Sequence, residues 1–165
     1  MRPLVLLVIV AGAAWLLARP DALSPAREPS LSGFARAVDG DTLAIGARRI
    51  RLAGIDAPES AQICERDGSA WPCGALAAQA LAGMVQGRVV TCSQSGEDRY
   101  GRALARCEAA GEDLGAAMVR LGWAVAYARY SWRYIPQEWQ ARWRGVGLWA
   151  GRFETPEDWR RAHSR

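Results

Sequence analysis

The run GFARAVDGDTLAIGARRIRLAGI, residues 33–55, decides the fold. Gly33 to Val38 and Thr42 to Ile45 flank an Asp-Gly step, which is a strong hairpin-turn signal. A second turn at Gly46-Ala47 leads into Arg48 to Ile55, so the whole run predicts a three-strand meander. Two further strands are expected beyond it, Val89 to Ser93 and Ala103 to Glu108, on either side of Asp98-Arg99-Tyr100-Gly101-Arg102. Helices are expected at three places. Ala70 to Gln86 is Ala- and Leu-rich with helical spacing and Gly87 as its stop; Asp113 can cap a helix through Arg120; Pro136 suits the first turn of a helix to about Arg144. Five strands with about three helices packed outside suggest a small closed β-barrel of the OB type, α+β to mainly β in class.

The same run carries chemistry. Asp39-Gly40-Asp41-Thr42 and Arg51-Leu52-Ala53-Gly54-Ile55-Asp56-Ala57-Pro58-Glu59 join the third motif in supplying hard oxygen ligands (Asp41, Asp56), a further carboxylate (Glu59) and two guanidinium forks (Arg51, Arg102). A phosphate, a divalent cation and an attacking water could be served by these groups. Each motif alone reads as a polar turn or a loop acid, and only their joint occurrence makes a site. Strict strand alternation would point Arg51 and Asp56, five apart, to opposite faces. A common site therefore needs a bend between them, and Gly54 is the natural place. The one histidine, His163, is expected to be a solvated residue near the C-terminal end, which argues against histidine-based acid–base or zinc chemistry.

Composition bounds the remaining choices. The chain has 165 residues, half of them hydrophobic, with a formal net charge of +4 and a pI near 9.2. It is long enough for one domain with a real core, and its charge suits a polyanionic partner. Every basic side chain is Arg, a composition bias that also favours bidentate phosphate contacts. Residues 1–18 read as a signal peptide or N-terminal membrane anchor. As a helix, Pro3 to Ala18 would be roughly 24 Å long, a little short for a hydrocarbon core of about 30 Å. Residues 19–32, with three prolines, read as a linker; 33–150 as the folded domain; 151–165 as a C-terminal tail. The expected location is exported, periplasmic or secreted, with a membrane contact through residues 3–18 if the leader is retained.

Export makes disulfides the natural reading of four cysteines. Cys92 and Cys107 lie symmetrically about Arg99/Tyr100 and would face each other across a hairpin centred there. Cys64 and Cys73 share one loop-like stretch. The expected pairs are 64–73 and 92–107. No Cys-x-x-Cys spacing supports a zinc site. Trp139 and Trp143, four apart on the last expected helix, read as a packing stripe. The Arg-rich stretch after Arg129 reads as a solvated face.

Three separated motifs in this order resemble the staphylococcal nuclease (thermonuclease, micrococcal nuclease) family over roughly Gly33 to Trp149. The resemblance implies an OB-fold barrel and Ca²⁺-dependent endonucleolytic hydrolysis of DNA and RNA to 3′-phosphate products, by a monomer. It matches Asp41 and Asp56 to the calcium carboxylates, and Ala57 to a backbone carbonyl ligand where the family's reference member has Thr. Glu59 matches the general-base carboxylate. Arg51 and Arg102 match the arginines that grip the scissile phosphate. Arg99 stands where a Lys is expected near the nucleotide, beside Tyr100; Tyr127 matches the first nucleotide-packing tyrosine, and Tyr130, offset, is the candidate for the second. The rival reading is a catalytically silent module of the same fold, binding nucleic acid or protein in the cell envelope. Such modules usually lack some of these carboxylates or arginines, and this chain has all five.

Overall fold

A computed structural model describes residues 30–163; the expected leader lies outside them. Three strands form the meander: β1 (Ser30–Ala37), β2 (Thr42–Ile45) and β3 (Arg48–Leu52). β1 begins three residues inside the stretch read as linker, because Ser30 to Phe34 pair with the later strand β7 (Val89–Glu97). β7 runs antiparallel to β8 (Ala103–Ala109), and β8 pairs in parallel with β3. That last pairing, with Ile50 opposite Ala103 and Leu52 opposite Ala105, closes five strands into a mixed barrel of the OB type. Short strands complete the structure: β4 (Ile55–Asp56), the β5 (Cys64–Arg66) and β6 (Ser69–Trp71) hairpin, β9 (Glu112–Asp113) and β10 (Val125–Ala126).

The barrel interior is set by alternation. Leu43, Ile50, Leu52, Val90, Ala105 and Cys107 point inward and are almost wholly buried. Each large aliphatic side chain stabilises the fold by about 1.5–3 kcal/mol relative to exposure. Among the described residues four α-helices pack outside. α1 (Cys73–Val85) buries Ala77, Leu81 and Val85 at four-residue spacing. α2 (Leu114–Arg120) is capped by Asp113, whose carboxylate accepts from Ala116 N at 3.0 Å. α3 (Ile135–Arg144) ends at Gly145 in the left-handed conformation.

Two readings change here. The inner face of α3 is Tyr134, Glu138 and Ala141, with Glu138 Oε2 accepting from Ala126 N at 2.6 Å. Trp139 and Trp143 therefore point outward, 73% and 85% exposed, and form no packing stripe. The stretch read as tail contains a fourth helix, α4 (Pro156–His163). Its start is signalled by Thr155, which accepts from Asp158 N at 3.2 Å while Pro156 fills the first turn. Among the described residues no helix is long and apolar enough to cross a membrane.

Both cysteine pairs are bridged, Cys64–Cys73 and Cys92–Cys107. The second joins directly opposed residues of β7 and β8. Two disulfides fit an oxidising compartment. Replacing Cys92 and Cys107 together by Ser is expected to cost about 3 kcal/mol and to lower Tm by roughly 10 °C. Thermal unfolding of the double variant beside the parent checks this; an unchanged Tm would show that the barrel does not depend on the bridge.

Candidate active site

One end of the barrel collects the polar groups. The β1–β2 turn brings in Asp41: Val38 N donates to Thr42 O at 2.8 Å, and Asp41 N to the Asp39 carboxylate at 3.0 Å. β2 and β3 pair Thr42 with Arg51. β3 ends at Leu52, and the chain turns through Ala53 and Gly54 before β4. Gly54 has φ of +81°, the left-handed region that only glycine enters readily, and a Cβ there would crowd Tyr134 and Ser131. The bend resets the alternation, so Asp56 meets the guanidinium of Arg51 from the same side. β10 holds Asp56 in place by pairing it with Val125.

The resulting contacts form a single chain of charges. Arg51 Nη1 donates to Asp41 Oδ1, and Arg51 Nη2 to Asp56 Oδ1 at 2.7 Å. Thr42 Oγ1 donates to Asp41 Oδ1 at 3.1 Å and accepts from Arg102 Nη1 at 3.5 Å. Arg102 is aimed by Asp98, which accepts from its Nε at 2.6 Å and from its backbone N at 2.9 Å. Partial burial works against ionisation of Asp98, but the hydrogen bonds from Arg102 and from Tyr100 N outweigh it and lower its pKa. Four of the five side chains expected to share a site, Asp41, Asp56, Arg51 and Arg102, are thus gathered, with Thr42 as the connector.

The sequence reading missed one member. Arg160 of α4 sets its Nη2 on Asp56 Oδ2 at 2.9 Å, and its Nη1 on both Asp56 Oδ1 and Glu59 Oε1 at 3.0 Å. Glu59 itself is half-exposed. Its backbone N donates to Gln62 Oε1 at 3.3 Å, and its carbonyl is pressed against Gly74, where a Cβ would lie 1.7 Å from the oxygen. A glycine at the start of α1 is therefore required for the loop carrying Glu59 to seat.

Asp41 and Asp56 are 3% and 1% exposed. Burial pushes the Asp41 carboxyl up to about 7, against the pull of Arg51 and with the neighbouring Asp39 and Asp56 adding to the rise. Two buried carboxylates, paired here with Arg51 and Arg160, fit a hard divalent cation in their donor chemistry. Among the described residues no cluster of three or more acidic, His or Cys side chains converges on one point. A bound cation would need a backbone carbonyl and water to complete its shell. Ala57, buried beside them, donates its N–H to Asp41 Oδ2 at 3.0 Å.

Around this centre lie the other expected contacts. Tyr100 is exposed, with the Arg99 guanidinium 4.8 Å and the Arg102 guanidinium 5.5 Å from its ring centre. Tyr127 N donates to Gly54 O at 2.9 Å, and its ring lies 4.8 Å from that of exposed Tyr130. Burial, with Glu157 and Asp56 nearby, raises the Tyr127 hydroxyl above its ordinary pKa. His163 stacks on Trp159 and takes no part in the site.

An OB-type barrel with acids and arginines converged at one end defines the class: a barrel built to handle a phosphate ester. The family model described as staphylococcal nuclease homologue matches residues 49–151, more than half of the chain, and the chain belongs to that family. Similar proteins include the succinoglycan biosynthesis protein ExoI of Rhizobium meliloti, 35% identical over 133 residues, 78% of this chain and 69% of that protein. An uncharacterized endonuclease of Haemophilus influenzae is 32% identical over 143 residues, covering 82% of this chain and 75% of its own length. A probable staphylococcal-like nuclease of Oryza sativa is 40% identical over 116 residues, 68% of this chain but only 32% of that longer protein.

Proposed function

We propose that this chain is an exported, calcium-dependent endonuclease that hydrolyses phosphodiester bonds of DNA and RNA to 3′-phosphate products. The observation that carries the reading is the contact path from Glu59 through Arg160, Asp56, Arg51, Asp41 and Thr42 to Arg102. Endonuclease and nuclease names among the relatives support it, and the two disulfides support export.

Asp41, Asp56 and the Ala57 carbonyl would hold the cation. When bound, calcium would supply Lewis-acid polarisation of the phosphate and charge stabilisation of the attacking water. Arg51 and Arg102 bind the non-bridging oxygens bidentately, and these contacts tighten as negative charge builds in the transition state. Glu59, half-exposed, takes the proton of the attacking water. Arg102 also faces the leaving 5′-oxygen. Arg99, Tyr100, Tyr127 and Tyr130 pack against the nucleotide, by charge and by stacking that tolerates any base.

Release of acid-soluble nucleotides from single-stranded DNA should require millimolar Ca²⁺ and stop in EGTA. Equal rates in EGTA would remove the cation from the reading. Tight binding with no cleavage at millimolar Ca²⁺ would turn the enzyme into a binding module.

A further inference from the structure

The C-terminal segment is strapped onto the site. Glu65 and Arg152 exchange both backbone hydrogen bonds, at 2.9 and 2.8 Å. Gly151 lies so close to the same strand that a Cβ would sit 2.1 Å from Glu65 O. Gln62, wholly buried, donates its Nε2 to Glu154 O at 2.7 Å while its Oε1 accepts from Glu59 N. One side chain thus ties the loop of Glu59 to the chain entering α4. Pro156 is buried, and Glu157 pairs with Arg129 at 3.3 Å. These anchors deliver Arg160 to Asp56 across 104 residues of sequence.

Arg160 takes both oxygens of Asp56, the carboxylate whose remaining contact is Arg51. A divalent cation on Asp56 needs at least one of those oxygens at about 2.3–2.6 Å. It would also lie next to a fixed guanidinium, a like charge in a poorly solvated place. The two cations compete for one carboxylate.

We propose that Arg160 is a built-in counter-ion of the cation site: it occupies Asp56 and clamps Glu59 while no cation is bound, and cation binding displaces it from Asp56. This rests on the calcium reading above. Arg160 is then a positioning residue, setting the cation concentration at which the site loads.

The sign of the effect separates this role from a merely structural one. Loss of a structural strut loosens the carboxylates and weakens cation binding; loss of a competitor strengthens it. Calorimetric titration of the whole chain with CaCl₂, without nucleic acid, is the measurement. Arg160→Gln is expected to bind Ca²⁺ about tenfold or more tightly than the parent, within the usual span of coupled binding events. Arg160→Lys keeps the charge but loses the fork that spans both Asp56 oxygens, and is expected to tighten binding by a smaller factor. It serves as the second variant should Arg160→Gln fold poorly. Equal affinities in parent and variants, or weaker binding in them, overturn this proposal alone. Absence of binding in all three chains takes down the calcium reading and this proposal with it.

Discussion

An Arg51→Ala protein is expected to lose about 3–5 kcal/mol of stability in EDTA, more than any other single change at the site, because it strips the buried Asp41 of its cationic partner and leaves Asp56 with Arg160 alone. Among the described residues Arg51 is the side chain that bridges Asp41 and Asp56. Both acids are nearly inaccessible, so water cannot take over. The loss should also depend on pH. In the parent the Asp41 carboxyl titrates at about 7, above its ordinary 3.8, so the protonated form is the one the fold prefers. Its contribution to stability is fully present below pH 3.8, falls as pH rises, and is lost once pH passes about 7. Removing Arg51 removes the main force holding that pKa down, so the decline continues further above neutrality. Urea unfolding in EDTA at pH 6 and pH 8 checks it: the gap between variant and parent should be wider at pH 8. A gap that is equal at both, or below about 1 kcal/mol, would mean that the buried acids are compensated elsewhere. Activity should fall too, since the variant has lost one of the two guanidiniums proposed to bind the phosphate.

Much of this site was legible because its parts announce themselves locally. Asp-Gly at 39–40 marks a turn, and the strands expected on either side of it pair as a hairpin. The bend at Gly54 followed from a conflict of parity: Arg51 and Asp56 could share a face only if the strand broke between them, and it does. The Cys92–Cys107 bridge followed from symmetry about the Asp98 turn. All three inferences use spacings of fewer than twenty residues.

Arg160 was not legible for the opposite reason. Its partners are more than a hundred residues away, and in a segment rich in Arg no single guanidinium stands out as paired. A signal for the helix was present: Thr155-Pro156-Glu157-Asp158 has the N-cap, the proline and the first-turn acids of a helix start. Reading it would have turned the tail into an element, and an element needs something to pack on. Nothing local would have said that it packs on Glu59. Trp139 and Trp143 failed in a related way. Their spacing is that of a helix face, but spacing does not say which face is buried. Here the buried position went to Glu138, because Ala126 N needed an acceptor there.

Glu59→Gln should lower turnover by about 10²–10⁴-fold while leaving the fold and cation binding in place. The substitution is nearly isosteric. Its amide oxygen can still accept from Arg160 Nη1, and the loop is held through backbone atoms, Glu59 N on Gln62 and Glu59 O against Gly74, which the change does not touch. Asp41 and Asp56, the carboxylates proposed to hold the cation, are both retained. What disappears is the ability to accept a proton from water, a demand made only on the way to the transition state. The loss should therefore fall on kcat, with KM close to the parent value. Steady-state cleavage of single-stranded DNA at saturating Ca²⁺, with calcium titration of both proteins as control, separates the outcomes. A fall in kcat with binding preserved fits a proton acceptor. A rise in KM at constant kcat would make Glu59 a substrate-binding residue, and undiminished turnover would move the base to another group.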